Sequence, residues 1–312
     1  MGPSRPQGIG SLFPCDRSWI AFQVFLTPLR DYFPISDEEK AVLNSAHTQM
    51  IRCQLPGYRK AHRIQTYTWD SASPSDPCPT ILLLHGWMAS SSHMGSFVKP
   101  LLKSGFRVVA LDAPAHGCSS GVRSDMPAFA HALKTVVDQL GPVDGIIAHS
   151  FGAASCLFLL HEEPDSIAIK NLALLAPPSE VSLLLEIITN GLGASPQLRA
   201  AMEERFIKRY GHPPSHYTIA RMASQNPLPG IVIHDRDDQL VPFREGEAIA
   251  QNWPHSQLIA SSGLGHGGIL RDPDMIAEVI AFQQAHCRPY APPAWTKTAW
   301  AERSFGAVLN QV

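Results

Sequence analysis

No run of apolar residues in this sequence approaches the roughly 20 needed to cross a bilayer as a helix. Its six cysteines, at positions 15, 53, 78, 118, 156 and 287, form no CxxC pair and no metal-ligating spacing. Neither sign of charge dominates: 25 Lys and Arg face 27 Asp and Glu, a formal net charge of −2. No internal repeat is visible. These absences exclude an integral membrane span, a disulfide-stapled scaffold and a resident metal centre built on cysteine. They also leave nothing that favours nucleic acid or an anionic surface as partner. The cysteines read as free thiols of a reducing compartment. Residues 19–26 faintly imitate a signal peptide. They are short, interrupted by Gln23 and followed by Thr27-Pro28-Leu29-Arg30 rather than small residues, so a packing or surface-associated segment in a cytoplasmic protein is expected.

What the sequence does contain is material for a core. It is 45% hydrophobic over 312 residues, enough for one large α/β domain. Ser36-Asp37-Glu38-Glu39 has the form of a capping box, predicting a helix from there to about Ile51. Residues 62–69 read as a strand, with Ile64, Thr66 and Thr68 alternating with Gln65, Tyr67 and Trp69. From Thr80 onward short apolar runs alternate with helical stretches: 80–84, 106–111, 145–148, 172–175, 230–233 and 257–260 as strands, the last helix over 273–286. Continuous apolar strands separated by helices predict a mostly parallel sheet buried on both faces. The expected layout is an N-terminal extension over 1–62, a core over 63–286 and a tail over 287–312. Within the core, a helical cap insertion occupies 178–227, where the rhythm breaks.

Functional groups of such sheets gather at the carboxyl ends of the strands, and three ends stand out. The first is Ala148-His149-Ser150-Phe151-Gly152. A sharp strand-to-helix turn strains its central residue and demands small neighbours two positions away, here Ala148 and Gly152. It exposes Ser150 Oγ near a helix N-terminus and aims the Phe151 N–H at an oxyanion. A plain tight turn is the competing reading. The second is His234-Asp235-Arg236-Asp237-Asp238, offering three carboxylates where one is needed to orient an imidazole, or a solvated acidic turn. The third is Gly263-Leu264-Gly265-His266-Gly267-Gly268, one histidine on a glycine-rich loop.

The order Ser150, acid, His266 and several further motifs together resemble an α/β-hydrolase fold serine hydrolase of the esterase and lipase kind, over about Thr80 to Phe282. His85-Gly86-Trp87 is similar to that family's oxyanion loop, which implies the Trp87 N–H as second donor. Asp112-Ala113-Pro114-Ala115-His116-Gly117-Cys118-Ser119 resembles its Asp-x-Pro-Gly-His-Gly-x-Ser loop. Asp238-Gln239-Leu240-Val241-Pro242 resembles the stretch carrying its acid, which selects Asp238 over Asp235 and Asp237. Ala148 stands where Gly is commonest, as in the Ala-His-Ser-Met-Gly elbow of some small bacterial lipases. The first 62 residues and the tail resemble decorations on uncharacterised bacterial hydrolases.

The resemblance implies a small-molecule ester as substrate and an acyl-enzyme on Ser150, with no metal or organic cofactor required. Met88 and His149 are the candidate substrate contacts, His149 also reading as packing beside the elbow. Thioesterase, lactonase, amidase and C–C hydrolase share the same residues and stay open. A non-catalytic ligand-binding member of the fold is a further alternative. Glu180 is a weaker candidate acid. His93 and the other histidines without a partner pattern read as surface or helix residues. Trp295 and Trp300 on the proline-rich tail, or the N-terminal extension, offer a contact for a homo-oligomer; packing on their own domain is the competing reading.

Overall fold

The computed structural model describes residues 17–30, 32–71 and 78–287. An eight-stranded sheet runs through its centre in the order β1-β2-β4-β3-β5-β6-β7-β8. The strands are β1 (His47–Cys53), β2 (His62–Trp69), β3 (Thr80–Leu84), β4 (Arg107–Leu111), β5 (Gly145–His149), β6 (Asn171–Leu175), β7 (Gly230–Asp235) and β8 (Ser256–Ser261). β2 is antiparallel to both β1 and β4, and the remaining pairs are parallel. The continuous apolar runs have the physical role expected of them. In register, Ala110, Leu83, Ile147, Ala173 and Ile231 form one row, and their neighbours Leu111, Leu84, Ala148, Leu174 and Val232 another. Alternation sends the first row into one core and the second into the opposite one.

Helices cover both faces. α4 (Met126–Leu140), α5 (Phe151–Glu162), α8 (Ile219–Ala223) and α9 (Phe243–Asn252) pack in succession on one face, and α3 (Val98–Lys103) meets α11 (Pro273–Cys287) on the other. Between β6 and β7, α6 (Val181–Gly191) and α7 (Pro196–Tyr210) form the helical insertion. The caps are readable in residues. Asp125 accepts the Ala128 N–H at 3.0 Å to start α4, and Pro127 sits in its first turn. Ser195 starts α7 in the same way, and Gly211, at φ 86°, ends it.

The N-terminal segment departs from expectation. The helix begins at the Ser36–Glu39 capping box but stops at Asn44, as α2 (Asp37–Asn44), instead of continuing to Ile51. Residues 47–53 are instead the edge strand of the sheet. Met50 and Arg52 are exposed while Ile51 and Cys53 are buried, the local alternation of a strand rather than of a helix. Ahead of this, α1 (Arg17–Phe25) packs on α7, with Ala21 against Leu185 and Met202. The tail with Trp295 and Trp300 lies outside the described residues, apart from Cys287, which closes α11.

Candidate active site

β5 ends at His149 and α5 begins at Phe151, leaving Ser150 alone on the turn between them at φ 51°, ψ −120°. Only a turn whose surroundings over-determine it holds a residue with a Cβ there. The neighbours show why they must be small. Ala148 is fully buried, and a Cβ on Gly152 would overlap the carbonyl oxygen of His85. A Cβ on Gly86 would stand 3.0 Å from Ser150 Cβ. Glycine at 86 and 152 therefore lets the turn after β3 lie directly against the turn after β5. That first turn is closed by the Ala89 N–H on the Gly86 carbonyl, and Met88 at its tip has φ 58°. Trp87 and Phe151, the two expected oxyanion donors, lie on these adjoining turns. Among the described residues neither backbone N–H donates to a backbone acceptor outside its own helix, and their rings meet edge to face at 5.1 Å.

The other two strand ends converge on the same point. His266 sits on a single helical turn, α10 (Gly265–Gly268), with Nε2 3.0 Å from Ser150 Oγ and Nδ1 2.7 Å from Asp238 Oδ2. Of the three carboxylates in the second motif only Asp238 reaches the imidazole. Asp235 accepts from Ser261 Oγ at 2.7 Å and from the Leu264 N–H at 3.1 Å, and Asp237 accepts from the Gly263 N–H at 2.8 Å. Those two fasten the loop that carries His266 to the end of β7. Glu180 accepts from Ser182 Oγ at the surface. Asp238 itself is buried. Burial alone would raise its pKa, but bonds from His234 and His266 and from the Val241 N–H outweigh that and hold the carboxyl well below its ordinary range.

Histidines surround this chain of bonds. Burial, followed by the nearby His266, pushes the His149 pKa far down, so its ring is neutral, and Nε2 donates to the His266 carbonyl at 3.0 Å. His149 thus touches the backbone of His266 as well as lining the cavity beside Met88. His85, also neutral through burial, donates Nδ1 to the Gly86 carbonyl and accepts the Ala113 N–H on Nε2. Asp112 accepts the N–H groups of Ser91 and Cys118 and the Tyr67 hydroxyl, tying the 112–119 loop to the sheet end. His93, read from the sequence as a surface or helix residue, is buried in the 91–97 turn and lines the cavity. Its only sequence signal is the serine run Ser90-Ser91-Ser92, whose first member donates its N–H to His93 Nδ1.

Ser150 and His266 open onto a cavity of about 1200 Å³. Its walls come from α5 to α7 on one side and from the segment between α1 and α2 on the other. Phe158, Leu184, Phe206 and Leu29 are representative lining residues. Among the described residues, no group of three or more His, Cys, Asp or Glu is placed to hold a metal ion. No described helix is long and apolar enough to cross a membrane.

A model of the alpha/beta hydrolase fold family matches residues 79–200. A Pyrococcus furiosus esterase of known structure superposes with a TM-score of 0.61 at 19% identity, covering 84% of this chain and all of that one. This is the alpha/beta hydrolase fold. The match to that fold's family contains the Gly86–Trp87 turn and Ser150 and stops before Asp238 and His266. Among curated proteins, the chain is 24% identical over 238 residues to a bifunctional esterase/perhydrolase of Acinetobacter calcoaceticus. That alignment covers 61% of this chain and 85% of the relative. It is 34% identical over 97 residues to a 2-hydroxy-6-oxononadienedioate/2-hydroxy-6-oxononatrienedioate hydrolase of Escherichia coli K12, covering 28% of this chain and 33% of that relative.

Proposed function

We propose that this hydrolase cleaves carboxylic esters through an acyl-enzyme on Ser150. The observation that carries the reading is the continuous hydrogen-bonded chain from Ser150 Oγ through His266 to Asp238. His266 Nε2 takes the Ser150 proton as Oγ attacks the ester carbonyl, and Asp238 holds the tautomer with the proton on Nδ1 and stabilises the imidazolium. The N–H groups of Trp87 and Phe151 receive the oxyanion. Collapse breaks the C–O bond, and the imidazolium gives its proton to the leaving alkoxide. Water then attacks the acyl carbon, its proton passing to His266; the bond to Oγ breaks, the acid leaves, and His266 returns the proton to Ser150 Oγ. Met88 and His149 border the acyl carbon.

The C–C hydrolase reading has the same residues but a weaker fit. The name of the Escherichia coli relative's substrate is that of a dicarboxylate. In this chain the arginine lining the cavity, Arg271, is already paired with Glu39 at 2.8 Å, and no lysine among the described residues lines it. Burying an unmatched carboxylate there would be costly.

The test is hydrolysis of p-nitrophenyl esters from acetate to laurate, beside Ser150→Ala. Loss of about 10⁶ in kcat is expected in the variant. A variant retaining most of the parent activity would sink the assignment. A folded parent with no turnover would shift weight to a ligand-binding role, read by which compounds raise its Tm.

A further inference from the structure

The cavity is larger than the roughly 300–1,000 Å³ of ordinary small-molecule sites, and much of its mouth belongs to a segment outside the family match. Residues 29 and 32–36, between α1 and α2, line it as a strap. Leu29, Tyr32, Phe33 and Ile35 line the cavity from it. Yet the strap is thinly packed: Leu29 is 54% and Tyr32 60% exposed. Among its described residues, the Arg30 side chain ties its middle by hydrogen bonds, and the Phe33 ring meets His93 edge to face. The Arg30 guanidinium donates to the carbonyls of His116 (3.1 Å), Gly117, Ser119 (2.6 Å) and Gly121 (3.0 Å), all on the loop following β4. Five fixed donors on a planar fork make arginine suited to such a cluster of acceptors. One end of the strap is fixed where the Leu26 carbonyl accepts the Ser124 N–H at 2.8 Å. The other end is fixed by the α2 capping box, whose Glu39 pairs with Arg271.

The charged groups at the cavity wall are also engaged. Asp125 accepts from Arg209 and Tyr210, Asp237 from the Gly263 N–H, and Arg271 binds Glu39. The wall therefore offers a substrate length and apolar surface, with its charged side chains already paired.

We propose that the acyl part of the substrate is a long alkyl chain and that the strap, tethered by Arg30, is the wall that selects its length. The inference rests on the ester-hydrolase reading. An alkyl chain gains its affinity methylene by methylene, about fourfold in kcat/KM for each CH₂ buried, equivalent to about 0.8 kcal/mol. The gain ends where the wall ends. Arg30 does not line the cavity, so its removal acts by releasing the strap, whereas Leu29 faces the chain directly.

The experiment compares the laurate-to-acetate ratio of kcat/KM, using p-nitrophenyl esters, for the parent, Arg30→Ala and Leu29→Trp. Lauric acid binding to each in a Ser150→Ala background is measured in parallel by calorimetry. Arg30→Ala is expected to lower the ratio by roughly tenfold or more, and to weaken lauric acid binding similarly, as contact with several methylenes is lost. Leu29→Trp, a change at an exposed position, is expected to move the preferred ester to a shorter chain. If Arg30→Ala does not fold, Leu29→Trp decides alone. A parent that hydrolyses esters through Ser150 while both variants keep its chain-length profile within twofold overturns the strap proposal and leaves the esterase reading intact. A parent without turnover whose Ser150→Ala form binds lauric acid, more weakly when Arg30 is also replaced, supports the wall and removes the hydrolase. A preference for acetate with no lauric acid binding overturns the long-chain assignment.

Discussion

Asp238 differs in role from its neighbours Asp235 and Asp237. It meets the imidazole, whereas the other two hold the loop that brings the imidazole there. Replacing Asp238 by Asn keeps the size of the side chain and removes the group that fixes the His266 tautomer. A fall of about 10⁴ in kcat with a smaller change in KM is expected, measured on the best p-nitrophenyl ester. A fall of less than tenfold would mean that another acid serves His266. Nothing in the spacing of three carboxylates over four residues tells them apart; the Asp-x-x-Val-Pro pattern does. It singles out the acid whose Oδ1 accepts the N–H groups of Leu240 and Val241. Ser150 and His266 are legible because their turns need small residues that the sequence displays. The bond from His149 to the backbone of His266 is not, since it joins residues far apart in the chain through a carbonyl that every residue possesses.

At the scale of the element, Asp125 is the joint between sheet layer and cap. One carboxylate oxygen caps α4 and the other accepts from Arg209 (2.7 Å) and Tyr210 (3.0 Å) at the end of α7. Asp125→Ala removes both, and a loss of about 2 kcal/mol is expected in urea denaturation, about 1 from the cap and about 1 from the bond to Tyr210. Asp125→Asn retains a good cap, and so should recover about half. Equal losses for the two variants would show that the tie to α7 carries the whole effect. The strands and α4 stand out in the sequence because their apolar periods are unbroken. β1 does not: only Ile51 and Cys53 of its seven residues are buried, too few to set a period, and a helix already under way offers a ready alternative.

For the whole molecule, acid is the condition to examine. Asp238 and Asp235 both sit below the usual carboxylate pKa: burial pushes each upward, and the hydrogen bonds they accept more than reverse it. A depressed carboxylate stabilises the fold fully above its unfolded pKa, about 3.9, and the contribution disappears as pH falls toward the folded value. Tm is therefore expected to be insensitive to these two groups from pH 5 to 7 and to drop steeply below pH 4. Asp238→Asn should flatten the drop; an unchanged slope would contradict the assignment. The sheet and its layers are readable as rhythm, whereas the strap is not, because its role depends on a distant loop. That distance has a consequence for how the molecule comes together. Arg30 grips carbonyls 86 to 91 positions further along the chain, on the loop that follows β4. Contacts so remote in sequence form only after the more local ones have closed the intervening chain. The strap is thus among the last parts to dock, and the cavity receives its outer wall after the strand ends at its base are in place.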